Sequence, residues 1–87
     1  MTSSVTSHTT LDLLQPLRAA EIVAIDWSRL APDEAKRLRA IGIDEGAHVV
    51  IAHRGIFAGR DPIALTVGRM TVAVRRSHAR AMTVNEL

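Results

Sequence analysis

Short apolar runs, rich in β-branched residues, recur along the chain, and several of them are bounded by glycine, proline or acidic residues. Runs of this length and composition are typical of strands. The last two long runs flank Gly68 and Arg69, a spacing that indicates a hairpin with a tight turn. The pattern therefore predicts strands at residues 21–27, 47–53, 63–67, 70–75 and 82–84.

One segment, residues 28–43, has apolar residues at helical spacing. Pro32 suits the first turn of a helix, and the acidic residues near the start and basic residues near the end match the helix dipole. We expect Asp33 and Arg37 to form an ion pair across one turn. The stripe that we expect to face the core consists of Ala31, Ala35, Leu38 and Ile41.

Glycines and a proline mark the places where these elements end. Gly42 is positioned to end the helix in a left-handed conformation, with Ile43 folding back on Leu38. Residues 55–62 (GIFAGRDP) contain two glycines and a proline and predict an irregular loop. The residues to which we assign structural roles of this kind are Gly42, Gly46, Gly68 and Pro62.

The two ends of the chain differ in pattern. Residues 1–10 are rich in serine and threonine and nearly lack apolar spacing, so we predict a disordered leader followed by one domain at residues 11–87. Near the other end, Ser77 is predicted to cap a single helical turn at residues 78–81 before the last strand.

Short strands, one interposed helix and glycine-bearing turns predict a mostly β, small α+β domain, in which the sheet closes into a small barrel. The 87 residues suffice for one core and not for two. The chain has no cysteine, which excludes disulfides and thiolate metal sites. We find neither a signal-peptide pattern nor a long apolar run, and therefore expect a cytoplasmic protein with no membrane insertion.

Charge and aromatic content argue against nucleic-acid binding. Eleven cationic residues are balanced by nine acidic ones, so the formal net charge is only +2. Proteins that bind single strands stack bases on aromatic side chains, and this chain has only Trp27 and Phe57. We therefore expect no nucleic-acid partner.

Catalysis and metal binding are also disfavoured by the pattern. The sequence shows neither a nucleophile with a base nor paired carboxylates, and the glycine-containing loop lacks the Lys-Ser/Thr pair of a phosphate-binding loop, so we expect no enzyme and no cofactor. His48 and His53 are predicted to point to opposite faces of one strand, while His8 and His78 lie far from them in sequence. We predict no metal site, the alternative being a weak site or one shared between subunits.

Residues 38–49 (LRAIGIDEGAHV) carry the spacing L-x-x-[LI]-G-[LI]-x-x-G-x-x-V, which resembles the signature of FeoA, ferrous iron transport protein A. Further pieces resemble that family in the same order over residues 11–86. Two places depart from it: many relatives have a glycine after the Leu-x-x-Leu segment where this chain has Leu17-Arg18-Ala19-Ala20, and the turn around Ala79 lacks the usual acidic residue. The further matching pieces are Asp61-Pro62-Ile63, Gly68, Arg75-Arg76, Ala79-Arg80-Ala81 and Met82-Thr83-Val84.

The resemblance implies a five-stranded SH3-like barrel, with one helix between the first two strands and a short helical turn before the last strand. It also implies a non-catalytic role in ferrous iron uptake, in which the protein binds the cytosolic part of the FeoB transporter. The alternative is a regulatory or sensing domain, because related modules form the C-terminal domain of DtxR-type metalloregulators. Self-association into a homo-oligomer stays open.

A basic patch with an aromatic residue is the candidate binding surface. If the predicted hairpin forms, Arg75 and Arg76 at the end of its second strand return to the end of the domain that carries the 54–62 loop, beside Arg54 and Arg60. An aromatic residue rimmed by arginines is typical of a protein-binding hot spot, although Phe57 would also suit a plug of the core. We expect partner contacts from Ile56, Phe57, Arg54, Arg60, Arg75 and Arg76. A second candidate surface is the exposed helix face with Arg37 and Arg39.

Overall fold

The computed structural model describes residues 8–15, 17–54 and 62–87. Strands and helices follow one another as β1 (His8–Thr10), a 3-10 turn (Leu11–Leu13), β2 (Ala19–Ile25), a second 3-10 turn (Trp27–Arg29), α1 (Pro32–Ala40), β3 (His48–Arg54), β4 (Ile63–Val67), β5 (Met70–Val74), α2 (Arg76–Ala79) and β6 (Met82–Glu86). In these ranges no helix is both long and apolar enough to span a membrane.

The strands form a single antiparallel sheet in the order β1-β6-β2-β3-β4-β5. Strand β6 lies between β1 and β2 although it comes last in the sequence. Register shifts at residues 22–24 of β2 and residues 51–53 of β3 bend the two longest strands. The predicted closure of the sheet into a barrel is not observed, because in the described parts of the chain β1 and β5 are the two ends of an open ladder.

All five predicted strands are present, and the structure adds a sixth. Strand β1 pairs with β6 through His8–Asn85, Thr9–Val84 and Thr10–Thr83. It lies inside the segment that we expected to precede the ordered domain, so order begins at least three residues before the predicted boundary at Leu11. The sequence pattern did not indicate this strand because its residues have no apolar alternation and its partner is distant in sequence.

Helix α1 is shorter than predicted at its start and ends as predicted. Residues 27–29 form a separate 3-10 turn, in which the Ser28 N–H donates to the Asp26 side chain, and the α-helix begins only at Pro32. At the other end Gly42 has a φ of +98°, and the Ile43 N–H donates to the Leu38 carbonyl at 2.9 Å. This is the predicted left-handed ending, in which the chain folds back on the last buried turn.

Two local predictions about side chains were wrong. Arg37 pairs with Glu34, one turn earlier on the same face, and not with Asp33. The last helical turn spans Arg76–Ala79 and is preceded by Arg75 with no side-chain cap, so Ser77 lies within the turn and does not cap it.

The core is formed by the inward faces of the strands together with residues from both helices and the first 3-10 turn. Ala35 and Ile41 of α1 pack against this core and Leu38 is fully buried, whereas Ala31 is exposed and precedes the helix. Asp12 is the one charged residue buried among those described. The largest fully buried side chains are Leu11, Ile22, Leu38, Ile43, Val49, Ile51, Ile63, Leu65, Val74, Met82 and Val84.

The β4–β5 hairpin closes with a two-residue turn, Gly68-Arg69, as predicted. Gly68 has a φ of +60° and is followed by a residue without positive φ, which is the signature of a type II′ turn. Gly46 also has positive φ, at +92°, and precedes β3. Pro62 is exposed and directly precedes β4.

Candidate functional site

Part of the predicted binding patch lies outside the described residues. This holds for Ile56, Phe57 and Arg60, and for the side chain of Arg54, whose backbone ends β3. Whether Phe57 forms an interface or a core plug therefore stays a prediction. The other members of the patch, Arg75 and Arg76, are described.

The structure brings Arg75 together with residues from three other parts of the chain. An open groove of about 440 Å³ lies between helix α1 and strand β5. We call it the α1–β5 groove, and it is lined by Glu34, Arg37, Pro62, Ala73 and Arg75. Arg37, predicted as part of a separate surface, thus shares a groove with Arg75.

The elements that position this groove follow from local sequence. Ile63 pairs with Val74 at the end of the hairpin, so the residues that flank this pair, Pro62 and Arg75, both lie at the same end. Helix α1 is held by Leu38, which is fully buried, and this orientation turns the Glu34 and Arg37 face toward the groove. Pro62 and Arg75 both line the groove, whereas residues 55–61 of the loop lie outside the described residues, so the predicted return of the hairpin beside that loop stays a prediction.

Glu34 and Arg37 form a two-point ion pair on the α1 side of the groove. The Arg37 Nη2 donates to Glu34 Oε2 at 2.7 Å, and its Nε donates to Oε1 at 3.1 Å. The hydrogen bonds from Arg37 lower the pKa of Glu34, helped by the positive charges of Arg37, His78 and Arg75 and opposed by partial burial. The same pairing raises the pKa of Arg37. Glu34 is therefore a carboxylate at neutral pH.

His78 of α2 completes the contact between the two helices. Its Nδ1 lies 3.4 Å from Glu34 Oε2. The side chain is 19% exposed, and the Nδ1 atom itself is buried and makes no hydrogen bond with the described residues. The contact is therefore electrostatic when the imidazole is protonated, and it joins α2 to α1 beside the groove.

The two arginines that follow β5 have different surroundings. Arg75 is exposed, and its side chain forms no ion pair or hydrogen bond with another described residue, although its charge acts on Glu34. Arg76 is half-buried, begins α2 and has contacts of its own. Arg75 is therefore the described cation of the predicted patch that remains available to a partner.

Arg39, predicted as a contact residue together with Arg37, has a structural role. Its guanidinium lies 4.0 Å from the centre of the Trp27 ring, a cation–π contact. The Trp27 indole N–H in turn donates to Glu45 at 3.1 Å. Arg37 and Arg39 thus face different surroundings, and only Arg37 lines the groove.

The histidines are dispersed in the structure. His8 lies on β1, His48 is exposed on β3 and His78 lies on α2. We expected His53 to point away from His48 because side chains alternate along a strand. The register shift between Ile51 and His53 interrupts that alternation. The His53 side chain lies outside the described residues. Among the residues that the structure describes, no three histidine or carboxylate side chains form a group suited to a metal ion.

Sequence reasoning missed several residues of the site. Glu34 was assigned to the helix dipole alone, although its spacing to Arg37 would also have indicated a pair. Ala73 and His78 gave no signal, because their positions at the groove depend on how β5 and α2 pack. A second groove, of about 340 Å³, was also not anticipated; it contains the exposed Arg18–Glu86 ion pair, 2.8 Å long.

Comparison with known proteins identifies the fold. FeoA from Chlorobium tepidum is 26% identical and superposes with a TM-score of 0.78, covering 91% of this chain and 70% of that one. FeoA from Stenotrophomonas maltophilia in complex with zinc, described as a prokaryotic SH3-domain protein, is 30% identical with a TM-score of 0.64, covering 87% of this chain and 88% of that one. The predicted SH3-like fold is therefore confirmed.

The same fold occurs within metalloregulators. IdeR from T. acidophilum has a TM-score of 0.76 at 17% identity, and the match covers 99% of this chain and 37% of the regulator. A similarity at this identity shows the fold alone. No match to a curated protein was found.

The family comparison agrees with the residues quoted from the sequence. The model of the FeoA domain matches residues 9–86, nearly the whole chain. The motif at residues 38–49 and the superposed FeoA structures agree with this match. The chain therefore belongs to the FeoA family, a family linked to ferrous iron transport.

Proposed function

We propose that this protein is a non-catalytic accessory module of ferrous iron uptake, which binds the cytosolic region of a FeoB-type membrane transporter through the α1–β5 groove. The observation that carries the proposal is the meeting of Arg37 and Arg75 in an open groove on a FeoA-type fold. The relative from Stenotrophomonas maltophilia is described as a candidate activating factor of bacterial ferrous iron transport. Binding to a cytosolic region places this chain on the cytoplasmic side of the membrane.

The chemistry of the groove supports recognition and not catalysis. A general base must be free to take up a proton near neutral pH. Glu34 is the carboxylate of the groove, and its pKa is lowered by the two hydrogen bonds from Arg37. Both Glu34 oxygens accept hydrogen bonds from Arg37. Glu34 therefore holds the Arg37 guanidinium in place at the proposed binding groove.

The proposal predicts that reversing the charge of Arg75 weakens binding. The purified cytosolic region of the cognate transporter is titrated with wild type and with Arg75→Glu by calorimetry, with and without guanine nucleotide. We expect a loss of affinity of about tenfold or more, because a desolvated charge contact is replaced by repulsion. Lys36→Glu is the matched control, since Lys36 is exposed on the same helix as Arg37 but does not line the groove.

The results of the binding titrations would distinguish the proposed function from its alternative. Equal affinities of wild type and Arg75→Glu would remove the groove from the proposal, and absence of any binding by wild type would overturn the proposal itself. The alternative, a regulatory module like the SH3-like domain of metalloregulators, is supported by the shared fold. It would be favoured if wild type bound a metalloregulator and not the transporter.

A further inference from the structure

Strand β5 is an edge strand with its outer backbone groups unpaired among the described residues. The two-residue turn makes Val67 and Met70 the closing pair of the hairpin, so Met70, Val72 and Val74 direct their N–H and C=O groups toward β4. The alternate residues, Thr71 and Ala73, direct theirs outward. No backbone hydrogen bond of either residue to another described element is present.

Strand β5 itself carries none of the sequence features that usually keep an edge strand from pairing. Natural edges are kept from pairing with other chains by charged residues, prolines, bulges or shortness. β5 is five residues long and pairs in an unbroken register with β4, and none of its residues is charged or a proline. At the opposite end of the sheet, β1 has only three residues. β5 is therefore the end of the sheet suited to accept another strand.

The groove beside β5 indicates what kind of strand would fit. Ala73 both belongs to the free edge and lines the α1–β5 groove, and Arg75 follows two residues later. Glu34 forms a two-point ion pair with Arg37, whereas Arg75 forms no ion pair or hydrogen bond with a described side chain and acts on Glu34 only through its charge. An added strand at this edge would therefore bring its side chains close to a positive charge that has no ion-pair partner among the described residues, which favours a carboxylate.

We propose that β5 binds an extended, acidic segment of the transporter's cytosolic region as an added strand, with backbone hydrogen bonds to Thr71 and Ala73 and a carboxylate of the segment at Arg75. Binding by strand addition draws its affinity from backbone hydrogen bonds and its specificity from side-chain positions along the edge. The inference rests on the proposed function and adds how the partner is recognised.

The test removes the outward-facing N–H of Ala73 and follows exchange at the edge. Ala73→Pro deletes this donor and leaves the β4 ladder intact, since Ala73 does not donate to β4. Ala73→Ser, which keeps the donor, is the matched control. We expect Ala73→Pro to bind the purified cytosolic region about tenfold or more weakly and Ala73→Ser to bind within about threefold of wild type.

Amide hydrogen exchange of the wild-type protein provides a second readout that needs no variant. Binding should slow exchange at the Thr71 and Ala73 amides and leave Val72, already bonded to β4, nearly unchanged. If Ala73→Pro does not fold, this readout alone decides the question.

Other results would overturn the inference. Binding without slower exchange at Thr71 and Ala73 would reject strand addition and leave the proposed function standing, whereas no binding by wild type would reject both. Slow exchange at these amides in the free protein would show that the edge is already covered by another part of this chain. If the slowing grows with protein concentration, a second copy of the protein covers the edge.

Discussion

Leu17 is held in a conformation that is unusual for its side chain. Its φ is +67°, and among the described residues it is the one non-glycine residue with positive φ. The side chain is 77% exposed, so burial does not compensate for the strained backbone. The Leu17 N–H donates to the Ile51 carbonyl at 2.8 Å, which fixes the chain before β2. Glycine would adopt this left-handed conformation without the steric strain that a side chain causes.

We expect Leu17→Gly to stabilise the protein. Relief of the left-handed strain contributes about 1–2 kcal/mol, and the greater freedom of glycine in the unfolded chain offsets about 0.5–1 kcal/mol of it. The free energy of unfolding, measured by urea denaturation, should rise by about 0.5–1 kcal/mol. Leu13→Gly is the control, because Leu13 is also exposed but lies in a 3-10 turn. Equal destabilisation by both substitutions would contradict the interpretation.

Residue roles set by neighbours in sequence were predictable, and roles set by packing were not. Gly42 could be recognised as a helix end because its signal lies within a few residues. Arg39 and Arg37 look alike in sequence, yet one stacks on Trp27 and the other lines the groove. That difference depends on the position of Trp27, which no local pattern encodes.

At the level of elements, Glu34 connects α1 to α2 and orders the wall of the groove. Its carboxylate accepts two hydrogen bonds from Arg37 and lies 3.4 Å from His78. The α2 turn has only four residues and no side-chain cap, so contacts with neighbouring elements must hold it in place. Loss of the Glu34 carboxylate would remove its contacts with Arg37 of α1 and with His78 of α2.

The stability gained from Glu34 should depend on pH in a defined direction. Because its pKa in the folded protein is below the ordinary value of 4.5, the contribution is present above that value and is lost as the pH falls through the folded pKa. At pH 7 we expect Glu34→Gln to lower the free energy of unfolding by at most about 1 kcal/mol, as for other partly exposed ion pairs. In urea denaturation at several pH values, the difference from wild type should shrink between about pH 5 and pH 3.

Asp33→Asn is the matched control for this prediction, because it removes a negative charge from the first turn of α1 without breaking an ion pair of the described residues. A difference between wild type and Glu34→Gln that stays constant down to pH 3 would contradict the assigned role of the Glu34–Arg37 pair.

The predicted and observed elements differ where a strand forms only by pairing with residues that are distant in sequence. Strands β4 and β5 were predicted almost to the residue, because a hairpin depends on its own turn. Strand β1 was missed, because a polar His-Thr-Thr segment becomes a strand only through β6. The α1–β5 groove could not be predicted either, because its formation depends on both the register of the hairpin and the packing of Leu38.

At the scale of the whole molecule, the described histidines lie on different elements of the fold. The described histidines lie on β1, β3 and α2, and no group of three ligands occurs among the described residues.

We expect the protein to retain no tightly bound ferrous iron. In equilibrium dialysis under anaerobic conditions, the iron content should follow the free concentration without a saturating step, because a tight site requires several converging ligands. His78→Gln, which alters the least exposed described histidine, should behave as wild type does. Saturation at one ion per chain, abolished by His78→Gln, would contradict this expectation.

The position of β6 between β1 and β2 also constrains the order in which the molecule can fold. The β3-β4-β5 part of the sheet is made by neighbours in sequence and can form early. β1 and β2 share β6 as a neighbour, so the ladder that joins them stays incomplete until residues 82–86 have been synthesised. Because closing such long loops slows folding, the last strand is the step that we expect to set the rate.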